Sequence, residues 1–116
     1  MNLYMCSVEL KDDAKALAFA RAAENWMGHL KTAGVIRNWP LLRRKLGLGS
    51  GEFRDFLLEI EVENLAQLDA AFRTVATRDE DVETLYRAVN TLIGATSIAL
   101  YRPFPDPERA ERVALI

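Results

Sequence analysis

The chain has 116 residues, 50% of them hydrophobic and 28% charged, with a net charge of -2. That length supports one domain with its own core, and the slight negative charge gives no general attraction to a phosphate backbone, which argues against a nucleic-acid partner. One cysteine, Cys6, excludes an intramolecular disulfide, and no stretch approaches the roughly 18 apolar residues of a membrane span.

The first residues, Met1 to Met5, lack the basic and apolar regions of a targeting signal, so a cytoplasmic protein without membrane attachment is expected. From Leu3 to Leu10 the residues alternate: Tyr4, Cys6, Val8 and Leu10 share one side, and Leu3, Met5, Ser7 and Glu9 the other. This period of two predicts a strand. Asp12 or Asp13 can cap a following helix, and Gly34 suits the left-handed stop at its far end. The helix is predicted to reach about Thr32, with Ala16, Phe19, Ala20, Ala23, Trp26, Met27 and Leu30 as its apolar stripe and His29 turned to solvent.

Val35 to Leu46 and Phe53 to Val62 flank the glycine-rich segment Gly47 to Gly51 and predict a β-hairpin. Centring the turn on Gly49 pairs Arg37 with Glu61, Trp39 with Glu59, Leu41 with Leu57 and Arg43 with Asp55; the opposite face pairs Ile36 with Val62, Asn38 with Ile60 and Leu42 with Phe56. Opposite charges and apolar side chains then meet across the strands. Pro40, which has no amide hydrogen, places the first of these strands at a sheet edge or in a bulge.

Asn64 and Gln67 form a capping-box pattern ahead of the stripe Leu65, Leu68, Phe72 and Val75. A further helical piece, which Thr77 and Glu80 can cap, carries Val82, Leu85, Tyr86, Val89, Leu92 and Ile93 and is expected to stop at Gly94. A last strand, Ala95 to Arg102, puts Ile98 and Leu100 under the helices and Ser97, Ala99 and Tyr101 on the other face. The domain therefore covers residues 1–103. A tail follows over 104–116, where Asp106 before Pro107 predicts a short helix over Glu108 to Val113.

The order is βαββαβ, an α+β ferredoxin-like arrangement with an antiparallel sheet and helices on one face. The face without helices carries the candidate ligand-binding residues Met5, Ser7, Arg37, Trp39, Arg43, Leu57, Glu59, Ser97 and Tyr101. So apolar a surface predicts a homodimer joined through the sheets, a pocket between them, or both. Arg37 and Arg43 offer guanidinium groups to an anion or to the neighbouring carboxylates. Glu9, Glu59 and Glu61 form a possible acid and base cluster, although strand-face carboxylates are ordinarily paired or solvated. One His, one Cys and scattered carboxylates give no metal spacing, the glycine loop lacks the lysine of a phosphate-binding loop, and no catalytic residue can be assigned. No cofactor is expected.

The segments Trp26-Met27-Gly28-His29-Leu30, Leu41-Leu42-Arg43-Arg44-Lys45-Leu46, Phe56-Leu57-Leu58-Glu59-Ile60-Glu61-Val62 and Leu100-Tyr101-Arg102-Pro103-Phe104-Pro105 resemble those of a small, uncharacterised bacterial family within the dimeric α+β barrel superfamily. The resemblance implies a sheet-to-sheet dimer. It leaves the chemistry open, because relatives include cofactor-independent monooxygenases, haem-degrading enzymes, muconolactone isomerases and effector-binding domains. In the haem-degrading members a histidine ligates haem, a role that the outward position expected for His29 does not fit. Small-molecule binding between the sheets of a homodimer is the leading expectation. The alternatives are a monooxygenase- or isomerase-like enzyme for a hydrophobic or aromatic metabolite, and a purely structural interaction module.

Overall fold

The computed structural model describes residues 1–106; the tail helix expected over Glu108 to Val113 lies outside them. The elements are β1 (Asn2–Leu10), α1 (Ala16–Thr32), β2 (Leu41–Arg43), β3 (Phe56–Val62), α2 (Leu65–Ala76), α3 (Glu80–Asn90) and β4 (Ile93–Tyr101). The strands form one antiparallel sheet in the order β2-β3-β1-β4, with β1 paired on both sides.

Alternation in β1 and β3 sets the two faces. Val8, Leu10, Phe56, Leu58, Ile60 and Val62 pack on Phe19, Ala23, Trp26, Met27 and Leu30 of α1, with Leu68, Ala71, Val82 and Val89 from α2 and α3. Each large side chain so buried contributes about 1.5–3 kcal/mol, which makes this layer the main source of stability. Asp12 caps the short 3-10 turn Asp13–Lys15 that leads into α1, its carboxylate accepting from the Ala14 amide at 3.0 Å. Gly34, at φ 78°, ends the helix in the left-handed region. Asn64 caps α2 by accepting from the Gln67 amide at 2.9 Å, and the Gln67 side chain accepts from the Glu63 amide at 2.6 Å.

Ile98 and Leu100 lie on the helical side of β4 but are 57% and 50% exposed rather than covered by the helices. Three further expectations need correction. His29 is half-buried, because its spacing of three residues from Trp26 lets the rings stack with centroids 6.0 Å apart. Ile93 and Gly94 belong to β4 rather than to the preceding helix; Ile93 faces Leu10 across the register shift at Glu9/Leu10, and a side chain on Gly94 would press on the backbone of Glu9 to Lys11.

The last correction concerns the hairpin. β2 has three residues rather than twelve, and its register is displaced by one: Leu41 pairs with Leu58, Leu42 with Leu57 and Arg43 with Phe56. The cause is a bulge. The amides of both Arg37 and Asn38 donate to the Glu61 carbonyl, at 2.8 and 3.4 Å, so two residues oppose one. Ahead of the bulge Ile36 is buried as expected; beyond it every side chain changes face. Trp39 and Leu41 therefore pack on the core side, and Arg43 lays its guanidinium 5.2 Å from the Phe56 ring centroid. The ion pair expected between Arg43 and Asp55 is made by Arg44 at 2.7 Å, and the contact of Arg37 with Glu61 is through the backbone. Pro40 lies at the edge, its carbonyl accepting from Glu59.

Candidate functional site

On the face without helices the registers align residues in rows that cross the sheet. One row runs Leu42, Leu57, Ser7, Ser97; the next contains Glu59, Met5 and Ala99; a third contains Glu61, Leu3 and Tyr101. Six of the nine predicted residues, Met5, Ser7, Leu57, Glu59, Ser97 and Tyr101, thus come together. Trp39 faces the core, and Arg37 is exposed at the bulge. Arg43 borders the basin beside the loop, although its guanidinium lies over Phe56.

The residue that organises this face is Arg54, from the loop just before β3. Its backbone amide donates to Ser7 Oγ at 3.1 Å, and its side chain crosses β1 so that Nε and Nη2 both donate to Ser97 Oγ at 3.3 Å. Nη1 lies 3.6 Å from a carboxylate oxygen of Glu9, an ion pair without a direct hydrogen bond. Sequence reasoning passed over Arg54, because extending the strand back to Phe53 assigns it the parity of Phe56 and hence the wrong face. The available signal was Ser7 beside Ser97, two short side chains that leave room for a long one.

Two hollows lie on this face, the larger bordered by Arg54 and the smaller by Ser97. A basin of about 700 Å³ lies between the sheet and the loop from Arg44 to Asp55, with Leu42, Leu48, Phe53 and Leu57 among its walls. A smaller hollow of about 180 Å³ is bordered by Met5, Leu57, Ser97, Ala99 and Tyr101. Arg44 holds the loop by donating to the Phe53 carbonyl at 3.0 Å and to Asp55 at 2.7 Å, and it passes so close to Gly49 that a side chain there would meet its Cδ at 2.6 Å. Glu9 stands apart from the other two carboxylates, which are neighbours on β3. Glu59 lies opposite Met5, four residues along β1 from Glu9 and so roughly 13 Å away, and Glu61 lies farther still.

A third cavity, of about 310 Å³, lies on the helical side between the sheet and the helices, with Tyr4, Cys6, Trp26, Phe72, Tyr86 and Ile98 among its lining. Burial pushes the Cys6 thiol up to about 11 and raises Tyr4, which Cys6 and Tyr86 raise further. Both stay protonated at neutral pH, leaving these walls uncharged. Among the described residues no group of His, Cys, Asp and Glu is arranged to hold a metal ion, and no helix is long and apolar enough to cross a membrane.

A four-stranded antiparallel sheet with helices on one face and an arginine fixed across the other defines a ferredoxin-like α+β protein. Residues 1–116 match the family of unknown function DUF6614, and the chain belongs to that family. The fold is similar to that of an uncharacterized NIPSNAP domain protein from Burkholderia xenovorans, with a TM-score of 0.68 at 11% identity over 90% of this chain and 96% of that one. It is also similar to a dabb family protein with a ferredoxin-like fold from Mesorhizobium loti (TM-score 0.60, 14% identity, 89% and 96% covered). A dimeric ferredoxin-like protein of unknown function from Thermobifida fusca aligns with a TM-score of 0.59 at 12% identity, over 86% of this chain and 88% of that one. At such identities the likeness is one of fold. No curated protein matches the chain.

Proposed function

We propose that the protein is a homodimer joined through its helix-free sheet faces, holding a small molecule between them. The observation that carries this reading is Arg54, a charged side chain laid across a sheet face and sharing a basin with Leu42, Phe53 and Leu57. Leu42 and Tyr101, 50% and 58% exposed, mark opposite edges of this face with Leu57, Met5 and Ala99 between them, an apolar band that a partner sheet would cover. The Thermobifida fusca protein is described as dimeric, which supports a homodimer here. The spacing of the carboxylates favours binding over acid–base catalysis, and the free thiol of Cys6 suits a reducing cytoplasm. Native mass spectrometry of freshly purified protein tests both halves: a species of twice 13.1 kDa carrying an added small-molecule mass is expected. A monomer at micromolar concentration overturns the assembly, and a ligand-free dimer overturns the binding role.

A second reading rests on the helical-side cavity, whose protonated Cys6 and Tyr4 suit an uncharged, apolar guest. Substituting Val75→Trp narrows that cavity at a residue that borders neither hollow of the other face. Loss of a co-purifying ligand in this variant favours the second site.

A further inference from the structure

The hydrogen bonds around Arg54 point to a chemical class of ligand, an inference that rests on reading the helix-free face as a binding site. Ser7 Oγ accepts from the Arg54 amide, and Ser97 Oγ accepts from the Arg54 side chain. A hydroxyl also carries one proton to donate. Among the described residues neither serine donates a hydrogen bond, so two O–H donors stand beside a guanidinium with no acceptor between them. Glu9 stays at 3.6 Å and is 53% exposed, so it offsets the arginine charge only loosely; Asp55 is taken up by Arg44 at 2.7 Å, and Glu52 borders the smaller hollow. Leu42, Phe53 and Leu57 supply an apolar wall next to Arg54 and Ser7.

We infer that this face binds an amphipathic monocarboxylate, its carboxylate held by Arg54 together with the Ser7 and Ser97 hydroxyls and its body lying on Leu42, Phe53 and Leu57. With Nε and one Nη2 hydrogen turned to Ser97, the Nη1–Nη2 edge is the fork left for a planar carboxylate, which also accepts from the hydroxyls. With Arg44 paired to Asp55, Arg43 over Phe56 and Glu9 beside Arg54, the net charge at the site suits a monoanion better than a dianionic phosphate. Glu9 competes for the same guanidinium and lowers the affinity.

Octanoate and its neutral counterpart octanamide test the inference by isothermal titration calorimetry, with inorganic phosphate as the anion without an apolar body. The wild type is expected to bind octanoate about tenfold more tightly than octanamide and phosphate more weakly than either. Arg54→Gln and the double variant Ser7→Ala/Ser97→Ala should each weaken octanoate by about tenfold and leave octanamide within about twofold, whereas Arg54→Lys falls between and Glu9→Gln tightens octanoate. Circular dichroism checks that each variant is folded. Equal affinity of the wild type for acid and amide, or octanoate affinity retained in folded Arg54→Gln, overturns the inference. If acid and amide bind equally and Leu57→Lys abolishes both, the site stands and its ligand class falls. If neither probe binds and the wild type sediments as a monomer, the reading of the face falls with it.

Discussion

Cys6 lies in the middle of β1 on the helical side, and its thiol is moved from an ordinary 9.0 up to about 11 by burial. The thiolate is the reactive form, so the folded protein should resist iodoacetamide at pH 8, with intact mass spectrometry showing no adduct until denaturant is added. The same shift predicts an alkaline effect. Because the folded form holds its proton more tightly than the unfolded chain, stability is intact below pH 9 and falls as the pH rises through 11, and Cys6→Ala should flatten that fall in urea titrations. At the loop, Gly49→Ala would collide with Arg44, loosening its hold on Phe53 and Asp55. Hydrogen exchange at residues 46–54 should then rise while exchange in β1 stays unchanged.

The strands and helices with one wholly buried face were legible in the sequence, because β1, β3 and α1 each repeat their apolar residues at one unbroken period. The segment from Val35 to Leu46 was not. Its alternation reads as continuous, but the extra residue at Arg37 and Asn38 resets the parity, and opposite charges at 43, 44 and 55 satisfy either register. A double-mutant cycle separates the two: Arg44 and Asp55, with side chains 33% and 23% exposed, should couple by about 0.2–1 kcal/mol in urea unfolding, and Arg43 with Asp55 by nothing measurable. The caps at Asp12 and Asn64 were readable for a simpler reason, since each bonds an amide two or three residues on; the cap expected from Thr77 and Glu80 was not, as Asp79 begins α3 without a side-chain bond. Asn64→Ala should cost about 1 kcal/mol of stability by loss of the bond to the Gln67 amide.

For the molecule as a whole, the βαββαβ order and the bare sheet face followed from the sequence, and six of the nine candidate site residues fell where that order puts them. The three that did not, Arg37, Trp39 and Arg43, all lie in the bulged segment or beyond it. Arg54 was hidden because a loop residue has no period by which to assign it a face. The assembly makes its own prediction at this scale. Leu57 sits in the central rows beside Ser7 and Leu42, so Leu57→Lys would bury a charge between two sheets and should give a monomer in sedimentation velocity. An unchanged dimer would place the interface elsewhere.

The doubled residue opposite Glu61 also makes chain length a variable that the protein tolerates unequally. Removing Asn38 would shorten the chain by one, erase the kink and leave Ile36, Leu41 and Leu58 in their present places. Removing Glu59 would instead carry half of β3 to the wrong side of the sheet. The first deletion should unfold near the wild-type urea midpoint and the second should not fold. Drift in length within this lineage is therefore expected to collect at positions 37 and 38 and to spare the two inner strands.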